Sequence, residues 1–515
     1  MALSYAAEYE GECESIPPLT PRLHTVSVLE FGAVGDGKTL NTVAFQNAIF
    51  YSQSFADKGG AQLYVPEGRW LTGSINLTSY LTLFLEKDAI ILGSQDHSYW
   101  DVVKPLPSYG RGIELHDRRY GSLITGYNVT DVVITGNNGT IDGQGSLWWE
   151  QFTAHSLNYS RPNLVEFVGS NNVVISNLTF LNAPAWNIHV AYCRKVLVQN
   201  VTIYSPPNAP YASGIVPASV KTLVTELVPT CNWDPNFVSG GDRGGRRNAG
   251  FSSNVSLQSE TCNVKCSDSS EYVPITNSKF LWVYDAVVIE SDSSEHVCIE
   301  NSNISTCYDA IALKSGWDEY GIANGKPTAN VHVRGVRVHS SSGSGIAFGS
   351  EMSGGISGIL LEHLRVHNSP TGVGLKTSRR RGGYIKGIYI SDVLMENVTR
   401  GIKATGQCKS HPDDRFDLNA LPVVSGITFK DVVGVNMATA GIFYGISESP
   451  FTSICLSNVS FSVTSDPSTS WICSNVFGSS INVSPEPCPE LKGLFTSLSS
   501  DCFSISYPNT EVAVS

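Results

Sequence analysis

The sequence predicts an all-β protein: a right-handed parallel β-helix, that is, a solenoid with an N-terminal capping helix and one irregular insertion. Three observations predict it. Charged residues make up only 16% of the 515 positions while glycine occurs 47 times, a balance of β-rich chains with many turns. From about residue 130 a short alternating pattern recurs, as in "NNVVISNLTF" (171–180), "KVLVQNVTI" (195–203), "NVHVRGVRV" (330–338) and "GILLEHLRV" (358–366). The runs are strand-length, β-branched and bounded by Asn, Gly and Ser. Their anchors are evenly spaced: Ile175 to Val198 is 23 residues, Val333 to Leu361 is 28, Leu361 to Ile390 is 29 and Phe429 to Leu456 is 27. A strand-turn-strand unit of this length cannot bury its own apolar face, but stacked turns can. A propeller is the competing all-β architecture, but these units hold two or three short strands rather than four.

The elements follow in chain order. Residues 1–24 read as a tail. Gly32 to Thr39, "GAVGDGKT", matches the phosphate-cradling pattern G-x-x-x-x-G-K-T. That pattern needs an α/β setting, which nothing after residue 60 supplies, so nucleotide binding is not expected. The run 42–56 is amphipathic, with Phe45, Ala48, Ile49 and Ala56 on one face, and predicts a helix that covers the first turn. The solenoid domain spans 25–490, and 491–515 read as a second tail. One interval breaks the rhythm, because Val198 to Ile299 is 101 residues. Removing 218–291 leaves 27, so that segment is expected to lie outside the stack.

Twelve cysteines at scattered spacings fit disulfides better than metal ligation. N-x-S/T sequons at Asn76, Asn128, Asn138, Asn158, Asn177, Asn200, Asn303, Asn397 and Asn458 also point to secretion, although Asn-rich turns generate such triplets by themselves. The first residues carry no signal-peptide pattern, so the expectation of a secreted protein, in cell wall or apoplast, requires a start upstream of this one. No apolar run is long enough to span a membrane. A formal net charge of −12 disfavours nucleic acid as a partner.

Several stretches resemble plant polygalacturonase-like proteins of glycoside hydrolase family 28: "FGAVGDGKTLNTVAFQNAI" near the start, "GTIDGQGSLWW" (139–149), "NLTFLNAPAWNIHV" (177–190), "KSGWDEYGI" (314–322), "GSEMSGGISGI" (349–359) and "RRGGYIKGIYI" (380–390). The resemblance implies a right-handed β-helix that hydrolyses α-1,4 bonds between galacturonates in pectin. It implies inversion at the anomeric carbon, no metal or other cofactor, and an acidic polysaccharide as partner of a monomer. Inversion needs one carboxyl to protonate the leaving oxygen and a carboxylate to activate water on the opposite face. In the family these come from an N-T-D motif and, one turn later, a G-D-D motif, with a His in G-H-G and an Arg and Lys in R-I-K assisting.

Residue by residue, the match is damaged. N-T-D falls on Tyr211-Ala212-Ser213 or, if the inserted segment supplies the strand, on Asp285-Ala286-Val287. G-D-D falls on Cys307-Tyr308-Asp309, G-H-G on Gly343-Ser344-Gly345, and R-I-K on Gly374-Leu375-Lys376. Asp309 is therefore the expected base, with Asp292 (or Glu290) as a second carboxylate. Tyr308 at the acid position is a poor donor, since a phenol is a far weaker acid than a carboxyl. Lys314, Lys376 and Arg381 are expected to hold substrate carboxylates, and Trp317 is a candidate for stacking on a sugar. The alternative, from a different class, is a catalytically inactive β-helix that binds acidic cell-wall polysaccharide.

Overall fold

A computed structural model describes residues 12–13, 21–106, 118–218, 266–267, 273–276, 278–289, 295–408, 411–464 and 470–493. Its strands form parallel ladders stacked turn upon turn, a 12-stranded sheet and a 22-stranded one, and the chain is a right-handed parallel β-helix. The anchors that set the repeat in the sequence become one continuous interior row. Ile175 pairs with Val198, Val198 with Ile275, Ile275 with Ile299 and Ile299 with Val333. Leu361, Ile390, Phe429 and Leu456 extend the row. Every burial described along it is essentially complete. Each such aliphatic side chain contributes about 1.5–3 kcal/mol on leaving water, and no single turn can bury its own.

That row contains a rung the sequence reading did not count. Strands Val273–Thr276, Lys279–Val283 and Val287–Ile289 form a complete turn. It lies between the turn of Arg194–Gln199 and that of Glu295–Glu300. The expected insertion 218–291 is thus too long at both ends. Ala218 closes the strand Ile215–Ala218, and the regular turn resumes at Val273. The error arose because Lys279–Val283 reads "KFLWV" and lacks the polar–apolar alternation of its neighbours, while buried strands are often continuously apolar.

The helix Thr42–Ser52 buries Ala44, Phe45, Ala48 and Ile49 against the first strands, His24–Ser27, Ala61–Val65 and Ile75–Asn76, as a cap should. Ala56 lies beyond its end, in a following 3-10 segment, and is only half-buried. The phosphate-loop look-alike has a different use. The backbone amides of Lys38 and Thr39 both donate to Asp36 Oδ1, at 2.8 and 2.7 Å, so the chain's own carboxylate takes the donors a phosphate would need. In the second half, single strands of 12–15 residues run through a corner of the coil. A left-handed residue makes each bend: His363, Asp392, Asp431 and Asn458.

Cys473 and Cys488 form a disulfide in the last described turn, whereas Cys193 is a thiol buried in the core. The general expectation of disulfides therefore holds for this pair and fails for Cys193. No helix among the described residues is long and apolar enough to cross a membrane.

Candidate active site

Asp309 begins the strand turn that leads into Ile311–Leu313 of the 12-stranded sheet. Inward alternation points Ile311 and Leu313 into the core, and Ala312 packs on the outer face with Val216, Val288 and Ala347. The register Val287 to Ile311 to Ile346 therefore sets Asp285, Asp309 and Ser344 in one column, a turn apart. The Asp309 carboxylate is 2% exposed as a residue and is held from three directions. Its Oδ1 accepts the Ser344 amide at 2.8 Å. Its Oδ2 faces Lys376 Nζ at 2.5 Å. Its own backbone N–H donates to Asp285 Oδ1 at 2.9 Å. Gly343 is required here, since a Cβ at that position would lie 2.7 Å from Asp309 Oδ1.

Asp285 is the residue sequence reasoning missed. The family's N-T-D strand lies one turn before G-D-D, and the turn before Asp309 is that of Asp285. Ser213 sits a turn too early, and Val287 points into the core. The N-T-D slot is thus Val283-Tyr284-Asp285, with its aspartate intact. A signal was present: "YDAVVI" at 284–289 repeats as "YDAIAL" at 308–313. It was overlooked because the first copy fell inside the assumed insertion. Burial pushes the Asp285 carboxyl up to about 7, with Lys314 opposing and the neighbouring Asp309 reinforcing the rise. Two carboxylates on adjacent turns do not ionise together readily.

Lys314 follows the strand and reaches Glu351 Oε1 at 3.1 Å and Asp285 Oδ2 at 3.9 Å. It therefore serves the second aspartate rather than Asp309, as expected of its place but not of its partner. Lys376 stands in the same column two turns on, with Gly349 between them. Burial works against the Lys376 charge, but Asp309 and Tyr308 outweigh it and raise its pKa. Tyr308 lies beside this pair, its ring 4.7 Å from Lys376 Nζ.

Arg381 is a correction. Its side chain is 0% exposed, with Nη1 on Asp318 Oδ1 at 2.8 Å and the guanidinium over Trp317 at 4.3 Å. His411 Nδ1 meets the other Asp318 oxygen at 2.8 Å. Arg381 thus ties down the segment after Lys314 and does not present its charge to a ligand, and Trp317 packs on it. Arg379 pairs with Glu448 on the surface. Asp292 and Glu290 lie outside the described residues. Elsewhere, on the other sheet, Cys298, Glu300 and His332 bring ligand atoms within 4.8 Å of one another, and His332 Nε2 is also 2.8 Å from Glu362.

The fold is that of the right-handed parallel β-helices, and comparison with known proteins makes this specific. The model of glycosyl hydrolases family 28 matches residues 61–227 and 260–484. A probable polygalacturonase of Vitis vinifera is 41% identical over 471 residues, covering 91% of this chain and 81% of the relative. This chain belongs to glycosyl hydrolases family 28. Among solved structures, an exopolygalacturonase of Thermotoga maritima aligns with a TM-score of 0.59 at 22% identity, over 92% of this chain and 93% of that one. A polygalacturonase of Erwinia carotovora aligns at 0.55 and 19%, over 91% and 100%. At these identities the structures speak for the fold alone. The family match passes over 228–259, inside the interval between the turns ending at Ala218 and starting at Val273.

Proposed function

We propose that this chain hydrolyses α-1,4-galacturonosyl bonds in pectin-like polyuronides with inversion, slowly, and acts as a secreted monomer in the plant cell wall. The observation that carries the reading is the carboxylate pair Asp285 and Asp309 on adjacent turns, with Lys314 and Lys376 beside it. Adjacent strands lie about 4.8 Å apart, less than the roughly 6.5–9.5 Å that separates acid from base in inverting glycosidases. The two aspartates therefore act as one unit on the water side, Asp309 accepting its proton and Asp285 sharing the charge. The lysines meet the uronate as point charges. The leaving oxygen then lacks a carboxylic donor, because Tyr308 occupies that place and Glu351 is committed to Lys314.

The same Tyr308 favours the second reading, a β-helix that binds acidic polysaccharide without cleaving it. Reducing-sugar release from polygalacturonate separates them. The native chain should release product slowly, Asp309→Asn should abolish release, and Tyr308→Asp should raise it by about 100-fold or more, the ordinary worth of a general acid. Polymer binding with no release from either the native chain or Tyr308→Asp leaves only the binding reading.

A further inference from the structure

Beside the aspartates, the outer face of the 12-stranded sheet carries a column of small residues, Ala312, Ala347 and Gly374, paired in register. Each lies between two core residues of its own strand and so faces outward. The next rung ends the column with a lysine. Lys403 pairs with Gly374 and lies between Ile402 and Ala404, both buried in the core, so its side chain leaves the sheet on the same face.

Gly374 is the position at which the family's R-I-K motif has its arginine. Here a side chain at that position meets Ser344. A Cβ on Gly374 would lie 2.5 Å from Ser344 Oγ and 3.3 Å from Ser344 Cβ, and Ser344 itself occupies the place of the family's histidine. Adjacent rungs lie about 4.8 Å apart, a gap that the four-carbon stem of a lysine spans. Lys403 can therefore carry a cation from the neighbouring rung into the space above Gly374.

The two lysines nearest the aspartates already hold carboxylates of the protein. Lys376 Nζ lies 2.5 Å from Asp309 Oδ2. Lys314 Nζ lies 3.1 Å from Glu351 Oε1 and 3.9 Å from Asp285 Oδ2. Lys403 is half-buried and pairs with no carboxylate among the described residues. Burial lowers its pKa, and the charges of Arg400 and Lys376 lower it further. Arg400 flanks it, with Nε 3.4 Å from Thr371 Oγ1. An incoming carboxylate relieves a cation that is crowded by two others and lacks a counter-ion.

We infer that Lys403 binds a carboxylate of the substrate in place of the arginine absent at Gly374, so that the sugar lying over Gly374 has to be an unesterified galacturonate. An ester there would cover Lys403 without neutralising it. This rests on the polyuronide reading above and names the residue that makes it selective.

The test is titration calorimetry of the full chain with hexagalacturonate and with its fully methyl-esterified counterpart. Lys403→Met keeps the stem and removes the charge. It should weaken binding of the free hexamer about ten-fold, the ordinary worth of one charged hydrogen bond, and leave binding of the ester unchanged. Lys403→Arg should stay within about two-fold of the native chain. Lys430→Met, an equal loss of charge on the other sheet, should change neither. Should Lys403→Met melt below the native chain, Lys403→Gln carries the same expectation with a polar tip at the half-exposed site. Free-hexamer binding that survives both Lys403→Met and Lys403→Gln overturns the inference and leaves the polyuronide reading standing. So does an equal loss with the ester or with Lys430→Met. Failure of the native chain to bind the free hexamer overturns that reading, and the inference with it.

Discussion

At the scale of single residues, two kinds of side chain explain most of what the sequence displays. Seven of the eleven asparagines in N-x-S/T triplets (Asn128, Asn138, Asn177, Asn200, Asn397, Asn458 and Asn482) have φ between 51° and 61°. Asparagine tolerates this left-handed region better than other non-glycine residues. Several also donate to the preceding turn, as Asn200 does to Asn177 and Asn458 to Asp431. The coil's corners thus select asparagine for its backbone, and the triplets are in part a by-product. Asp285 is the other kind, a carboxyl pushed by burial from 3.8 to about 7. Between those values the folded chain keeps a proton that the unfolded chain releases, so stability falls as pH rises through that window and levels off above it. Asp285→Asn removes the fall and still offers an oxygen to the Asp309 amide. Its melting temperature should gain on the native chain between about pH 4 and pH 7. A constant difference across that range in calorimetric scans would refute the assignment.

At the scale of elements, the site is positioned by short pieces pinned to the stack. The helix Asp318–Asn324 follows Lys314 directly. It is anchored where Asp318 receives both Arg381 and His411. Removing one partner of a buried ion pair leaves the other charge stranded and costs about 3–5 kcal/mol. Arg381→Ala should therefore lower unfolding free energy by that order in urea titrations, and adding Asp318→Asn should restore part of it. Were Arg381 a ligand group instead, the single change would weaken polygalacturonate binding and leave stability alone. The long bent strands of the second half show the same economy. Left-handed residues within each strand, His363, Asp392, Asp431 and Asn458 among them, turn the corner without breaking the ladder.

At the scale of the whole molecule, the stack is continuous from one side to the other of the interval that the sequence placed outside it. Val198 pairs with Ile275, 77 residues apart, whereas neighbouring rungs are 23 and 24 apart. Ala191 is level with Ala218 and Val196 with Val273, and four residues connect Ala191 to Val196. A chain lacking 223–272 therefore keeps the four linking residues 219–222 between Ala218 and Val273 and should close the same turn. Each rung contacts only its neighbours, so circular dichroism and the melting temperature of this shortened chain should match those of the full one. A fall of more than about 4 °C, the effect of roughly 4 kcal/mol in a chain of this size, would show that the stack leans on the deleted segment.

The sequence alone determined the solenoid, because its interior row is written as evenly spaced aliphatic residues, and a repeat too short to bury itself has to stack. It also marked Asp309, Lys314 and Lys376, which flank the strand Ile311–Leu313 or end the strand Thr371–Lys376. What only tertiary structure decided was register and burial. Which aspartate stands beside Asp309 depends on which strand is the adjacent rung, and a long interruption hid that from spacing. Whether an arginine is offered to solvent or locked onto a buried carboxylate depends on a partner distant in the chain: Arg381 and Asp318 are 63 residues apart. The stack of Tyr284 on Tyr308 is set the same way: the two lie 24 residues apart, and the hydrogen-bonded rise of the coil brings their ring centroids to 5.2 Å.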